Sequence, residues 1–155
     1  MGENEETLVF VKPRNEDIAY YVFDYLCELL NRDKIEYTKS KTNPVICPPE
    51  KIVSEHYRDL RFFDGEIFRD TIEVYKNGTI FLQTYSGEDI ISGVRKNIGN
   101  TAPERAEDWT VRGYFRRDSL ENALKQKRYL NNVIHASSDA SEAKRELGLW
   151  NDFLD

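Results

Sequence analysis

The sequence predicts an α+β sandwich in which helices cover a four-stranded antiparallel sheet. Short strand-like runs alternate with helical patterns along the chain, with no internal repeat or linker. One or two helices separate successive strand-like runs, an order typical of split βαβ units. A composition of 39% hydrophobic and 32% charged residues is typical of a folded globular chain.

Length and composition suit one domain spanning residues 1–155. No apolar run approaches the roughly 20 residues that cross a bilayer. The N-terminal stretch MGENEETLVF is acidic, unlike a signal or transit peptide. Cys27 and Cys47 form no metal-spaced cluster, and without secretory context they are expected to be reduced thiols in a cytoplasmic protein.

The first half of the chain predicts two strands and three helices. Residues 7–13 are a β-type run stopped by proline, which predicts a strand. Residues 16–32 carry apolar side chains at helical spacing, whereas residues 35–47 alternate and are rich in Thr, Tyr and Val, which predicts a helix and then a strand. Residues 48–60, with proline near the first turn, and residues 65–78, ended by glycine, predict two more helices.

The second half begins with a strand, a helix and a loop. Residues 79–85 are a β-type run, and residues 87–99 predict a short helix ended by glycine. Residues 100–115 have mixed polarity and no sustained period, so they predict a long loop. Long ordered loops in small domains often carry function, which makes this segment a candidate part of a site.

Three further elements complete the chain. Residues 118–130 predict a helix capped by Asp118, and residues 132–135 predict a short strand. Residues 138–150 predict a last helix, with Asp139 and Glu142 spaced as a capping box. The complete order fits a ferredoxin-like split βαβ sandwich. An open three-layer α/β sheet is the alternative, made less favourable by the short last strand and the two consecutive helices.

The charge is distributed unevenly. The whole chain carries −6, which counts weakly against nucleic-acid binding. The segment from Arg95 to His135 holds nine basic and five acidic residues, a net of +4, which leaves −10 for the remainder. An arginine-rich zone in an acidic protein suits a compact anion such as phosphate. A solvated surface with ion pairs is the other interpretation, and composition alone favours it.

His135 is the candidate for chemistry that the residues themselves offer. No phosphate-binding glycine loop, metal-spaced His/Cys set or nucleophile elbow is present. A neutral imidazole can attack phosphorus, provided that a carboxylate orients it, and Glu146 or Glu142 on the following helix is suitably placed. Arg95 and Arg112 are the candidate cations for a transferring phosphoryl group. A hydrogen-bonded core histidine is the alternative, which these residues alone favour.

Four stretches in a fixed order favour a reactive His135 over a core histidine. They are FVKP, HYRDL, GVRKNIGNTAPERAEDWTVRGYF and NNVIHASSDASEAKRELGLW. Eleven residues separate Thr101 from Arg112, and eleven separate His135 from Glu146. Together these stretches and spacings resemble the nucleoside diphosphate kinase family over nearly the whole chain, and the chain is identified as a divergent member.

The resemblance implies an enzyme that moves the γ-phosphate of a nucleoside triphosphate to a nucleoside diphosphate. His135 would carry the phosphoryl group in a ping-pong exchange, Glu146 would hold its ring, and Ser137 would support that pair. Further implied contacts are Lys12 and Asn132 at the ribose and phosphates, Arg95, Thr101 and Arg112 at the phosphates, Tyr57 beside His135, and Phe63, or else Phe62, against the base.

The resemblance also implies cofactors and partners. Mg²⁺ would bridge the β- and γ-phosphates and need no dedicated protein metal site. Nucleoside triphosphates and diphosphates would be the ligands, with low selectivity because stacking on a ring tolerates different bases. A homo-oligomer (hexamer, tetramer or dimer) is expected, with no membrane or nucleic-acid partner.

The sequence departs from the family pattern in several places. RNEDIAYYV replaces the usual Asp-Gly after Pro13, and Ala136 replaces a common glycine. Residues 118–130 are an insertion, expected to form an amphipathic helix near the nucleotide entrance. The insertion also weakens the assignment of Tyr129 as a base contact. No long C-terminal extension follows Trp150.

Two other functions are alternatives to this enzyme activity. A catalytically weakened nucleotide-binding or scaffold paralogue would fit the altered loop and the insertion. An RNA- or protein-interaction module would fit the predicted fold, but net acidity and the absence of an aromatic RNA-binding strand count against it.

Overall fold

The computed structural model describes residues 2–154, in which one antiparallel sheet is covered by helices. Five strands form the sheet. They are β1 (Asn4–Val11), β2 (Thr38–Lys39), β3 (Asn43–Ile46), β4 (Thr79–Glu88) and β5 (Ile134–Ala136). The helices are α1 (Ala19–Arg32), α2 (Glu50–His56), α3 (Arg58–Phe63), α4 (Gly65–Lys76), α5 (Ile90–Ile98), α6 (Val111–Tyr114), α7 (Leu120–Gln126) and α8 (Ala140–Leu149).

The strand order confirms the predicted fold class. β1 pairs with β4 over its whole length, and β5 pairs with the other edge of β1, where Phe10 faces His135. β2 and β3 both pair with the far edge of β4 and together fill one position. The sheet thus has four positions, all antiparallel, as in a ferredoxin-like split βαβ sandwich rather than an open α/β sheet.

The second strand is interrupted, contrary to the single strand predicted for residues 35–47. Ser40 accepts the backbone N–H of Thr84 through its hydroxyl, at 3.0 Å. Gln83 donates through its side-chain amide to the Thr42 hydroxyl, at 2.8 Å. The Ser40 N–H still bonds to the Thr84 carbonyl at 2.9 Å, but side chains make the other bonds to β4 here, and residues 40–42 separate β2 from β3.

The predictions for one helix, one loop and one helix cap also need correction. The helix predicted for residues 48–60 is broken at Tyr57, which separates α2 from α3. The predicted loop of residues 100–115 contains α6. The cap of α7 is Ser119, whose hydroxyl accepts the Asn122 N–H, because the Asp118 carboxylate pairs with Arg128 instead.

The last helix begins as predicted. Asp139 accepts the Glu142 backbone N–H at 2.8 Å, which satisfies one of the free donors of the first turn of α8. The Glu142 carboxylate pairs with Arg145 at 2.9 Å. α8 therefore starts at a defined residue and carries Glu146 in its second turn.

Both faces of β1 are buried, and the second face bears the site. Val9 and Val11 pack in the cluster that contains α1 and α5. Leu8 and Phe10 point the other way and pack with α4 and Trp150, because successive strand residues face opposite sides. The Phe10 ring lies 4.8 Å from the His135 ring, centroid to centroid. Sheet alternation thus places His135 above this second core.

Candidate active site

A cavity of about 450 Å³ opens beside β5 and gathers most of the predicted site residues. Nine of the ten lie on its lining: Lys12, Tyr57, Phe63, Arg95, Thr101, Arg112, Asn132, His135 and Glu146. Ser137, the tenth, is fully buried and bonds to Glu146. The chain brings these side chains together from five elements and from the loops between them.

His135 is held by a carboxylate from α8. Its Nε2 lies 2.8 Å from Glu146 Oε1, and the Ser137 hydroxyl donates to the same oxygen at 2.7 Å. Burial opposes ionisation of Glu146, but the hydrogen bonds and charge of His135, with His56 and Ser137, lower its pKa to about 2. An ionised Glu146 only accepts hydrogen bonds, so in the neutral form of His135 the proton is on Nε2 and the lone pair is on Nδ1.

His56 is the residue of this site that the sequence did not identify. Its ring lies 4.5 Å from the His135 ring, and its Nδ1 accepts the Trp150 Nε1–H at 3.1 Å. Burial, followed by the charge of His135, lowers the pKa of His56 well below the ordinary value. His56 is therefore neutral, with its proton on Nε2, 3.9 Å from Glu146 Oε2. It adds a third polar hydrogen facing the carboxylate.

The same three groups have the donor chemistry of a metal site. The ligand atoms of His56, His135 and Glu146 lie within 4.8 Å of one another. A metal bound through the two Nε2 atoms, which are the ones near Glu146, would need lone pairs on both. The Trp150 N–H at His56 Nδ1 and the Glu146 carboxylate at His135 Nε2 keep both atoms protonated instead. The cluster is consequently built as a hydrogen-bond network around a carboxylate.

The backbone before His135 is strained. Val133 has a φ of 74°, which is unfavourable for a β-branched residue. The Ile134 N–H bonds to the Asn132 carbonyl at 2.9 Å, so Val133 is the centre of a γ-turn of the rarer hand. The Lys12 N–H on the Val133 carbonyl and the Asn131 side chain on the Val133 N–H hold the turn. This turn delivers Asn132 and His135 to the same cavity.

Lys12 and Asn132 form one side of the cavity. The Lys12 ammonium donates to the Leu130 carbonyl at 2.8 Å and to Asn132 Oδ1 at 2.9 Å. Asn132 in turn donates to the Thr101 carbonyl at 3.0 Å. Burial, with a smaller contribution from the Arg112 charge, lowers the pKa of Lys12 to about 7. A buried cation with neutral partners is poised to gain from a nearby anion.

Arg95 and Arg112 add two more positive charges. Arg112 donates to the carbonyls of Gly99 at 3.0 Å and Ile134 at 2.8 Å, while its buried Nε has no hydrogen-bond partner among the described residues. Arg95 donates to the Ala136 carbonyl at 3.2 Å. Burial, followed by the nearby Arg95 charge, lowers the pKa of Arg112 to about 9. We call this region, with Lys12, the cationic end.

The aromatic side chains of the site divide into two groups. Tyr57 and Tyr75 are bonded hydroxyl to hydroxyl, and burial raises the pKa of both. The Tyr129 ring is only 2% exposed and donates its hydroxyl to the Pro13 carbonyl, so it offers a base little surface. Phe63 is 73% exposed and lines the cavity, whereas Phe62 is 83% exposed and does not line it. Of the two phenylalanines, Phe63 is the one on the cavity lining.

The cavity lining also includes a group of apolar side chains from α3, α4 and α7: Leu60, Phe63, Ile67, Leu120, Ala123 and Leu124. We call this region the apolar end. The predicted insertion is thus a helix at the cavity, although α7 spans only Leu120–Gln126 of the predicted residues 118–130. A ligand with an anionic group and an apolar ring matches both ends.

The family comparison agrees with this geometry. A model of the family described as nucleoside diphosphate kinase matches residues 5–153. The chain belongs to the nucleoside diphosphate kinase family. Nucleoside diphosphate kinase II of Arabidopsis thaliana chloroplasts is 29% identical over 150 residues, which cover 97% of this chain and 58% of that relative. A nucleoside diphosphate kinase of Streptococcus pneumoniae is 35% identical over 102 residues, 65% of this chain and 69% of the relative.

Solved nucleoside diphosphate kinases share the fold. The enzyme of Borrelia burgdorferi, a transition-state mimic with bound vanadate and ADP, superposes with a TM-score of 0.81 at 26% identity, covering 98% of this chain and 91% of that one. The kinase of Pyrobaculum aerophilum superposes with a TM-score of 0.77 at 22% identity, covering 99% and 100%. The first is a relative by sequence as well, while the second supports the fold alone.

The predicted location stays a prediction. None of the helices between residues 2 and 154 is long and apolar enough to cross a membrane. The relatives include chloroplast proteins, so family membership does not favour the cytoplasm over an organelle.

Proposed function

We propose that this nucleoside diphosphate kinase family member moves the γ-phosphate of a nucleoside triphosphate to a nucleoside diphosphate through a phosphohistidine at His135. One observation carries the proposal. An ionised carboxylate fixes the Nε2 proton of His135 and so leaves a lone pair on Nδ1, beside a cavity lined by Lys12, Arg95 and Arg112.

The first half-reaction would charge the ring. The Nδ1 lone pair forms a bond to the γ-phosphorus, the bond from that phosphorus to the bridging oxygen breaks, and its electron pair leaves with the diphosphate. Because Nε2 keeps its proton, the ring becomes positive as the N–P bond forms. The Glu146 carboxylate, 2.8 Å away, stabilises that charge.

The second half-reaction would reverse these changes. A terminal oxygen of a second nucleoside diphosphate attacks the phosphorus, and the N–P bond breaks and returns its pair to Nδ1. The cationic end would offset the negative charge of the phosphates in both directions, and the unpartnered Nε of Arg112 is a donor available to them.

Mg²⁺ fits the site as an ion held by the ligand. The donors at the cationic end are positive side chains, which repel a free metal ion and attract phosphate oxygens. Asp59 lines the cavity with no ion pair among the described residues, so its carboxylate could accept a hydrogen bond from a metal-bound water. When bound, the ion would neutralise phosphate charge.

The proposal extends to ligands and assembly. A base stacked on Phe63 would permit several nucleotides, since stacking tolerates base identity. The Borrelia relative, with bound vanadate and ADP, supports a nucleotide and a transferring phosphoryl group in one cavity. Assembly as a homo-oligomer is proposed from the family relationship.

Phosphoenzyme formation tests the function. The protein is incubated with Mg²⁺ and γ-labelled ATP, denatured, and examined for label that is stable in base and lost in acid. Subsequent addition of a nucleoside diphosphate should discharge the label onto that acceptor. Wild-type protein that takes up no label would exclude phosphoryl transfer. Binding without labelling would instead support the catalytically weakened paralogue.

Anion binding is expected to draw a proton onto Lys12 above neutral pH. With a pKa of about 7, Lys12 in the free protein is mostly neutral at pH 8 and mostly charged at pH 6. A phosphate beside the amine favours its charged form and raises the pKa, so ADP binding should take up protons at pH 8 and fewer at pH 6. Calorimetry in buffers of different ionisation enthalpy measures this uptake.

A Lys12→Met variant is the control for that measurement. It removes the titrating amine but keeps the ligand's own phosphate ionisation. Proton uptake at pH 8 should fall to the ligand's contribution in the variant. Equal uptake by wild type and variant would mean that Lys12 is charged before the ligand arrives.

A further inference from the structure

Residues 118–128 form a closed segment that we call the α7 strap. The Arg128 guanidinium binds the Asp118 carboxylate through two contacts, Nη1 to Oδ2 at 2.8 Å and Nη2 to Oδ1 at 2.9 Å. These contacts join the two ends of the strap to each other. Two parallel hydrogen bonds fix the orientation of Arg128 relative to Asp118, so the two ends of the strap are held together.

The strap is attached to the rest of the chain near both of its own ends. Near its start, the Glu104 carboxylate accepts the N–H groups of Leu120 at 2.8 Å and Glu121 at 3.0 Å. Glu104 follows Thr101, which lines the cavity, by three residues. Near its finish, the Lys127 ammonium lies 2.6 Å from the carboxylate of Asp64, which caps α4 and directly follows Phe63. The strap is therefore held on both sides of the helix that lines the cavity.

One face of the strap is apolar and the opposite face is charged. Leu120, Ala123 and Leu124 recur at helical spacing and line the cavity. Glu121 and Lys125 point away and pair with each other at 3.0 Å. The apolar face is thus directed at the space that a ligand would fill.

Apolar side chains from two other helices line the same cavity. They are Leu60 and Phe63 from α3 and Ile67 from α4. Leu124 is 36% exposed and Phe63 is 73% exposed, so both keep surface that a ligand could remove from water. A flat ring between two apolar surfaces, joined to an anion at the cationic end, would satisfy both parts of the cavity.

We propose that the α7 strap is a specificity element: its apolar face forms the second wall of the base site, opposite Phe63, and the Lys127–Asp64 pair keeps the wall in place. This rests on the proposed function for the nature of the ligand and adds which side chains distinguish a nucleotide from a bare phosphate. The Lys127 side chain is half exposed, so water and salt weaken its ion pair with Asp64. This weak ion pair lets the strap open when one nucleotide replaces another.

Truncation of the wall tests the assignment. Binding of ADP and of inorganic pyrophosphate to wild type and Leu124→Ala is measured by calorimetry with Mg²⁺ present. ADP affinity should fall by about five-fold, the effect of losing a few apolar carbons against the base, while pyrophosphate affinity stays unchanged. Unchanged ADP binding, or an equal loss for both ligands, would overturn the proposal.

The ion pair is tested with a matched control on the same helix. Lys127→Gln and Lys125→Gln each remove one positive charge, but Lys125 pairs only along the outer face. ADP release, followed by stopped flow, should accelerate about three-fold in Lys127→Gln and stay at the wild-type rate in Lys125→Gln. Equal rates in the two variants would remove the pair's role in holding the wall.

These measurements separate the strap from the proposed reaction, because binding and release need no phosphoryl transfer. Wild type that binds ADP and shows the Leu124 effect but never takes up label would end the proposed function and keep the strap. Wild type that takes up label while Leu124→Ala affects ADP and pyrophosphate alike would end the strap proposal only.

Discussion

Replacing His135 with alanine is expected to abolish phosphoenzyme formation and nucleotide exchange, a loss of at least about four orders of magnitude. In the proposed reaction Nδ1 of His135 is the nucleophile, and His56 is the other imidazole at the cavity. His56 cannot take the place of His135 because its Nδ1 is bound by Trp150 and its ring is buried. Acid-labile label and steady-state exchange measure the effect. Label that persists in His135→Ala would place the nucleophile elsewhere.

The fold should survive this change. His135 lies at the cavity with its side chain 20% exposed, and Glu146 keeps the Ser137 hydrogen bond when the ring is removed. Calorimetric ADP binding and the thermal unfolding temperature of His135→Ala should therefore stay close to wild type. If ADP binding is lost together with the label, the alanine variant has lost the shape of the site. The loss of label is then tested with His135→Gln and His135→Asn.

Replacing Glu146 with glutamine is expected to lower the rate of His135 phosphorylation by about 10²- to 10³-fold. In the proposed reaction the carboxylate has two roles. It fixes the Nε2 proton of His135, and it stabilises the positive charge that the ring gains when the N–P bond forms. A neutral amide keeps the size but loses the charge, and its NH₂ group can turn toward Nε2 and stabilise the wrong tautomer. Single-turnover labelling isolates this step from product release.

Ser137→Ala is the matched comparison for Glu146→Gln. It removes one donor to Glu146 but leaves the charge and the His135 contact, so its effect should be limited to about ten-fold. Because the Glu146 pKa is about 2, its carboxylate is ionised at any pH above about 4 and should add no limb to the wild-type pH profile there. A Glu146→Gln variant with wild-type labelling would show that the ring needs no carboxylate.

The central part of the site could be predicted from sequence because its residues form a short motif. Asn132, His135 and Glu146 lie within fifteen residues, and the Asp139 cap sets where α8 begins. The residues alone left Glu146 and Glu142 as alternatives and favoured a core histidine, and the family resemblance selected Glu146. The β-type run before Pro13 likewise predicted β1, whose last five residues are buried.

Other features depend on contacts that no local pattern contains. His56 gains its role from Trp150, 94 residues away, which blocks one ring nitrogen. The HYRDL stretch signalled a His-Tyr pair, but only the tyrosine received a role. The anchors of the α7 strap, Glu104 and Asp64, are ordinary surface acids in sequence. Side-chain competition at Ser40 also interrupted a strand that its alternation predicted to be continuous.

The γ-turn at Val133 has a consequence for how this chain can change over time. A left-handed φ at a β-branched residue costs about 1–3 kcal/mol, a sizeable share of the stability of a small domain. Substitutions that relax this turn would favour folding and at the same time release Asn132 and His135 from their shared alignment. Selection for stability and selection for catalysis therefore oppose each other at Val133. Few substitutions are expected to be tolerated there, although the proposed reaction gives its side chain no contact with the ligand.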